Sequence, residues 1–327
     1  MVDIQLTSGA EEITLDLVRH GQSTDNVDGI LGTLPPGAPL TEEGEQQAQA
    51  VAPVIAAKFP DEIAGIYSST LLRAQETAAP LATLLGLPVT DLSGLNEVNA
   101  GILEGAQLNT FTEIAYVLPQ LMWILGDYFV GEPGSTIDPN GMAFEDRFSD
   151  AVQTIYDNTG SESGGKLTDV AFSHAGAITA WALMNVKNPD FSVVLKELID
   201  THDPLSNTGQ VVLQGDPTDG WTLVSWDGTD VPQTPDLLTG LFVDWRDLIT
   251  APQMAAWNIW EAIQGGDPTT ITSALQTGFD QVVAALEQFP QAVIDTITGA
   301  LGDGAGAAGQ AAGDTSETLS DALASLI

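Results

Sequence analysis

Histidine and arginine are scarce in this chain, 3 and 4 among 327 residues, and one of each stands at the end of an apolar run. Residues 15–21 read Leu-Asp-Leu-Val-Arg-His-Gly, a short buried strand that stops on a cation, an imidazole and a glycine. In an open α/β sheet the carboxyl ends of strands face a crevice, and ligands bind there. Arg19 supplies a planar, permanently charged fork that suits phosphate. His20 supplies a nitrogen nucleophile, and Gly21 lets the chain turn without a Cβ in the way. Together these three types allow attack by His20 on phosphorus.

Such a tripeptide needs a sheet to hold it. Apolar runs at 13–18, 63–68, 88–92 and 167–172 read as strands, and 207–213 with 221–226 as a closing hairpin around a turn at 216–220. Between them, 41–57 opens on Thr-Glu-Glu-Gly-Glu, a cap followed by first-turn acids, and reads as a helix. Segments 71–85, 111–130, 143–157 and 177–184 also carry helical spacing. The stretch 29–39, rich in Gly and Pro, reads as an active-site loop. Strands alternating with helices argue for a three-layer α/β/α domain with a mostly parallel central sheet.

That domain is expected over 1–231, with a helical cap insertion at about 106–147. A C-terminal helical extension follows over 232–301, with separate helical patterns at 252–263, 269–286 and 290–301. A Gly/Ala linker (302–313) and a short amphipathic end (317–326) complete the chain to 327. The apolar faces of this tail suggest docking on its own domain, on a homo-oligomer or on a protein partner.

The charge balance is lopsided: 45 acidic residues against 8 basic ones, net −37. Nucleic acid and anionic membranes reward Lys and Arg, so both are poor partners. The same field repels anionic substrates at long range, and any phosphate site must overcome it locally. Apolar residues make up 43%, enough for a packed core. The absence of cysteine excludes disulfides and thiol catalysis without fixing a compartment. An acid excess with few lysines fits an extracellular or cell-surface protein, or a high-salt cytoplasm. Residues 1–12 show no basic or apolar signal region, and no apolar window reaches the ~20 residues of a membrane span.

Four segments in order carry a family likeness. Residues 15–26, Leu-Asp-Leu-Val-Arg-His-Gly-Gln-Ser-Thr-Asp-Asn, resemble the signature of the histidine phosphatase superfamily, in its phosphoglycerate-mutase-like branch. Residues 68–78, Ser-Ser-Thr-Leu-Leu-Arg-Ala-Gln-Glu-Thr-Ala, are similar to its second segment, with Thr70 where proline is usual. Leu-Asn-Glu at 95–97, running on to Gly-Ile-Leu-Glu-Gly at 101–105, is similar to the acid-bearing segment. Phe-Ser-His-Ala-Gly-Ala-Ile at 172–178 resembles the second histidine motif. The likeness covers roughly 12–226 and leaves the tail outside.

The resemblance implies that His20 becomes a phosphohistidine. It makes Arg19 and Arg73 the phosphate clamp, with His174 and Asn26 as further donors, and Glu97 the general acid and then base. It implies a small phosphorylated substrate, no cofactor and no metal, because guanidinium groups supply the positive charge. Asn207 falls at a supporting position. His202 is read as an ordinary loop histidine, and Trp123, Tyr128 and Phe129 as cap packing. In the mutase branch the segment after the acid carries Arg and Tyr. Here Val98-Asn99-Ala100 has no cation, and no Lys or Arg occurs from 74 to 146. That departure favours hydrolysis of a phosphomonoester over mutase-type transfer. A reading of another class is a weakly active surface scaffold whose working part is the tail.

Overall fold

The computed structural model describes residues 11–162, 167–201 and 203–324, so His202 and most of the leader lie outside it. The strands are β1 (Ile13–Arg19), β2 (Ile63–Ser68), β3 (Val89–Asp91), β4 (Thr168–Ser173), β5 (Gln210–Asp216), β6 (Gly220–Trp226) and β7 (Thr229–Asp230). They form one mixed sheet in the order β3-β2-β4-β1-β5-β6-β7. The first four run parallel, and β5 to β7 add antiparallel hairpins at one side. Arg19 pairs with Ser173 and Ser68 with Phe172, so β1, β4 and β2 end level with one another. Two bonds extend the ladder past those ends, His20 N–H to the Ser173 carbonyl (3.0 Å) and Ser69 N–H to the Phe172 carbonyl (2.9 Å). Three chemistry-bearing turns thereby share one edge.

The helices are α1 (Thr24–Asp28), α2 (Glu42–Lys58), α3 (Leu72–Leu85), α4 (Thr110–Ile124), α5 (Gly141–Glu162), α6 (Ala175–Asn185), α7 (Phe191–Thr201), α8 (Leu237–Gly265) and α9 (Pro268–Ala324). The expected cap on α2 is present: Thr41 Oγ1 accepts from Gly44 N–H at 3.0 Å. Val51, Ile55, Ala78 and Leu81 of α2 and α3 cover one face of the sheet with Val18, Ile66 and Phe172. Phe148 stacks on Trp181 with centroids 5.1 Å apart, joining α5 to α6. Asp16 is fully buried on the central strand, and burial raises its carboxyl pKa to about 7 despite Lys58 nearby.

Several sequence expectations change. The five-residue α1 is too short to show an apolar period, and the sequence reading misses α7 although Phe191, Val194, Leu195 and Leu198 stand at helical spacing. Helix α4 stops six residues before 130, where Gly126 turns at φ 94°. Pro252 and Pro290, read as helix starts, lie inside α8 and α9. A proline inside a helix costs one helical bond, and here both are exposed residues in helices held by the packing of their neighbours. Helices α8 and α9 form an antiparallel hairpin, in which a Cβ on Gly240 would meet Thr296 at 2.6 Å and one on Gly278 would meet Ala255 at 3.1 Å. The backbone of α9 also continues through the 302–313 stretch read as a linker, where alanines, the best helix formers, separate the glycines. The chain divides into two compact units, Met1–Thr234 and Pro235–Ile327. Among the described residues no helix is long and apolar enough to cross a membrane.

Candidate active site

His20 follows β1 and is almost fully buried. Its Nδ1–H donates to the carbonyl of Gly21 at 2.6 Å, which fixes the tautomer and leaves the Nε2 lone pair facing the crevice. Burial holds this imidazole well below its ordinary pKa of 6.5, and the charges of Arg73 and Arg19 push it further down. His20 is therefore neutral, the state a nucleophile needs. The turn behind it is braced. Gly21 N–H donates to Thr77 Oγ1 (3.0 Å), and Asn207 Nδ2 donates to the His20 carbonyl (3.2 Å). Gly21 is required here, because a Cβ would lie 2.7 Å from the carbonyl oxygen of Gly44.

Arg73 enters from the first turn of α3. Its Nε–H is shared between His20 Nε2 (3.0 Å) and His174 Nδ1 (3.2 Å), and Nη2 donates to the Gly32 carbonyl (3.0 Å). Arg19 Nη1 donates to the Leu205 carbonyl (2.5 Å) and pairs with Asp203 (3.0 Å). Two buried guanidinium nitrogens of this site have no acceptor among the described residues, Arg19 Nε and Arg73 Nη1. Buried guanidinium N–H groups left unpaired are costly, and an anion is the partner that matches them.

His174 caps α6, with its ring centroid 5.1 Å from that of His20. Its Nε2 meets Ser69 Oγ at 2.7 Å. Because Nδ1 accepts from Arg73, the proton belongs on Nε2 and is given to Ser69. Burial, then Arg73, keeps this imidazole well below its ordinary pKa too.

Glu97 stands over the start of α6. Its Oε1 accepts from Val98 N–H (2.9 Å) and Ala177 N–H (2.7 Å), and Oε2 accepts only a long bond from Gly176 N–H (3.3 Å). Burial raises its pKa above 4.5, against the opposing pull of these N–H groups and Arg73. Oε2 is the oxygen with capacity to carry a proton.

Five of the six expected site residues thus gather at one strand edge. Asn26 stands apart from that contact network. It is exposed on α1, and it closes a reciprocal cap with Ser23, its Oδ1 accepting from Ser23 N–H at 3.0 Å. Its place in the signature is explained by that turn, and only its Nδ2 is left for a ligand.

Sequence reasoning missed Ser69, Thr77 and Arg147. Arg147 of α5 grips Asp138 with Nε (2.5 Å) and Nη2 (2.8 Å), and it donates to the carbonyls of Gly94, Asn96 and Glu97. Thr70, where proline was expected, uses the N–H that proline lacks. That N–H and its hydroxyl both donate to Asn96 Oδ1, at 2.8 and 2.9 Å, tying the Arg73 turn to the Glu97 loop. Tyr116 of α4 donates to the Val98 carbonyl at 2.8 Å. Scarcity of cations was the one signal that could have marked Arg147. Among the described residues no group of three His, Asp or Glu is arranged to hold a metal ion.

Residues 15–193 match the sequence profile of the histidine phosphatase superfamily (branch 1). The PE-PGRS family protein PE_PGRS11 of Mycobacterium tuberculosis is 47% identical over 299 residues, 89% of this chain and 49% of that protein. A 2,3-bisphosphoglycerate-dependent phosphoglycerate mutase of Thermoplasma acidophilum is 35% identical over 100 residues, 31% of this chain and 48% of that protein. The chain therefore spans about half the length of these curated relatives. Among solved structures, a mycobacterial glucosyl-3-phosphoglycerate phosphatase is similar with a TM-score of 0.49 and 23% identity, over 67% of this chain and 100% of that one.

Proposed function

This chain belongs to the histidine phosphatase superfamily, branch 1, and we propose that within it the chain is a phosphatase that hydrolyses a phosphomonoester through a phosphohistidine on His20. The observation that carries this reading is the pair of unused buried donors, Arg19 Nε and Arg73 Nη1, beside a neutral His20 whose Nε2 is unprotonated.

A phosphoryl group entering the cradle takes over the Arg73 Nε–H that the two histidines share. This frees the His20 Nε2 lone pair for in-line attack, while both guanidiniums hold the equatorial oxygens. The P–N bond forms as the P–O bond to the alcohol breaks, and protonated Glu97 gives its proton to the departing oxygen. The nearby phosphate dianion favours protonation of His174 on Nδ1, which then donates to a phosphoryl oxygen. Water next attacks phosphorus, Glu97 takes its proton, and the P–N bond breaks to release phosphate and restore neutral His20.

Mutase-type transfer is the second reading, favoured by the likeness to a phosphoglycerate mutase. Against it stands the supply of cations. No Lys or Arg occurs from 74 to 146, and Arg147 spends its donors on Asp138 and three carbonyls. A substrate with a carboxylate as well as a phosphate finds no second positive site. The test is release of inorganic phosphate from an aryl phosphate. Turnover that vanishes in His20→Ala supports the phosphatase, and equal turnover in both proteins refutes it. Phosphate release only when a bisphosphoglycerate is supplied favours the mutase.

A further inference from the structure

Helix α4 is apolar on two opposite faces. One face sends Tyr116, Pro119, Gln120, Trp123 and Ile124 into the domain. At 100° per residue, Phe111, Ile114, Val117, Leu118, Leu121 and Leu125 fall within a single arc of about 120° on the other side. All six are exposed, from 76% for Phe111 to 46% for Leu121 and Leu125. A helix apolar all round belongs in an interior, so this outer arc is a surface that lacks its cover.

We propose that the outer face of α4 is a self-association surface that packs against the same face of a second copy of this chain. Three properties of the face select that occupant. Its area fits: one aromatic and five aliphatic side chains, each about half or more exposed, present on the order of 600 Å² of apolar surface. This lies at the upper end of the ~300–600 Å² that the largest patch of a typical monomer reaches, and is about three quarters of the ~800 Å² that each partner contributes to a standard interface. The spacing fits as well, because Phe111, Ile114, Leu118, Leu121 and Leu125 follow the alternating three-and-four rhythm by which two helices mesh. Charge fits too. The protein carries a net −37, yet α4 bears one charged side chain, Glu113, so two copies meet there with little repulsion. An anionic bilayer is a poor occupant, since no Lys or Arg lies between 74 and 146 to hold it.

The pairing makes the face isologous, with Leu118 near its middle. In the full chain at micromolar concentration, sedimentation equilibrium is expected to give a dimer. Leu118→Glu combined with Leu121→Glu is expected to give a monomer that retains its circular dichroism and its turnover of an aryl phosphate. The absence of cysteine provides a readout that does not depend on that variant folding. Leu118→Cys should form a disulfide-linked dimer on mild oxidation, whereas Val54→Cys, exposed on α2, should not. A monomeric parent, a dimer indifferent to the two glutamates, or equal cross-linking at both cysteines overturns the proposal. So does a monomer that binds phosphatidylcholine vesicles through α4.

Discussion

Two arginines, 74 positions apart, divide the labour of this domain: Arg147 is half-buried and Arg73 buried. Arg147 has carbonyl and carboxylate acceptors from Gly94, Asn96, Glu97 and Asp138, and the protein alone satisfies it. Arg73 is held by a carbonyl and by two neutral imidazoles, and one of its terminal nitrogens has no protein acceptor. The first arginine is a clamp, and on the proposed function the second is a binding group. The charge is the same and the burial differs only in degree, so the acceptors are the sharper difference between the two cations.

That contrast is broken most directly by removing each arginine in turn. Arg73→Ala is expected to lower kcat/KM for an aryl phosphate by about 10³-fold, in line with losing aligned donors on developing charge, while the melting temperature stays close to that of the parent. Arg147→Ala leaves Asp138 buried without its cation and should cost about 3 kcal/mol of stability in urea unfolding. Any activity it loses should follow the folded fraction and the slackened Glu97 loop. Equal destabilisation by both substitutions would erase the distinction.

Glu97 joins the two regions, since its carbonyl accepts from Arg147 and its carboxylate accepts from the start of α6 behind His174. Glu97→Gln should slow alkyl phosphates by about 10²-fold and aryl phosphates much less, because only a poor leaving group needs the proton. Burial raises the Glu97 pKa, so for alkyl phosphates kcat should fall as pH rises through that raised value. The glutamine variant should lack this descending limb.

The smallest effect concerns the strand that delivers His20. Asp16 has a folded pKa of about 7 against an ordinary 3.8, so the folded state holds a proton that the unfolded chain releases between those values. The stabilisation this provides is complete below about pH 4 and is lost as pH rises through 7. Asp16→Asn should leave stability at pH 4 nearly unchanged and raise it by about 2 kcal/mol at pH 8, a discounted share of the shift. Chemical denaturation at the two pH values decides this.

Much of the cradle was legible because its chemistry is local in sequence. Arg19-His20-Gly21 and Ser173-His174 each sit where an apolar run ends, and the parallel register of β1 and β4 brings those ends together. Arg73 and Glu97 were readable from the family likeness. The brace around them was not, because its bonds join residues far apart in the chain. Arg147 reaches back 53 positions to the Gly94 carbonyl, and Ser69 meets His174 across 105. Thr70 looked like a departure from pattern, and only the Asn96 carboxamide explains it. Asn26 shows the converse: a signature residue whose visible bonds build its own turn. The helical hairpin was misread at its prolines, since no local rule reports the packing that carries a helix through them.

Rapid acid-free quenching of Glu97→Gln with a ³²P-labelled aryl phosphate tests the central claim most directly. The account predicts a stoichiometric label on His20 that survives alkali, is lost in acid and is absent from His20→Ala. Turnover without any such label, or a label that resists acid, would contradict it.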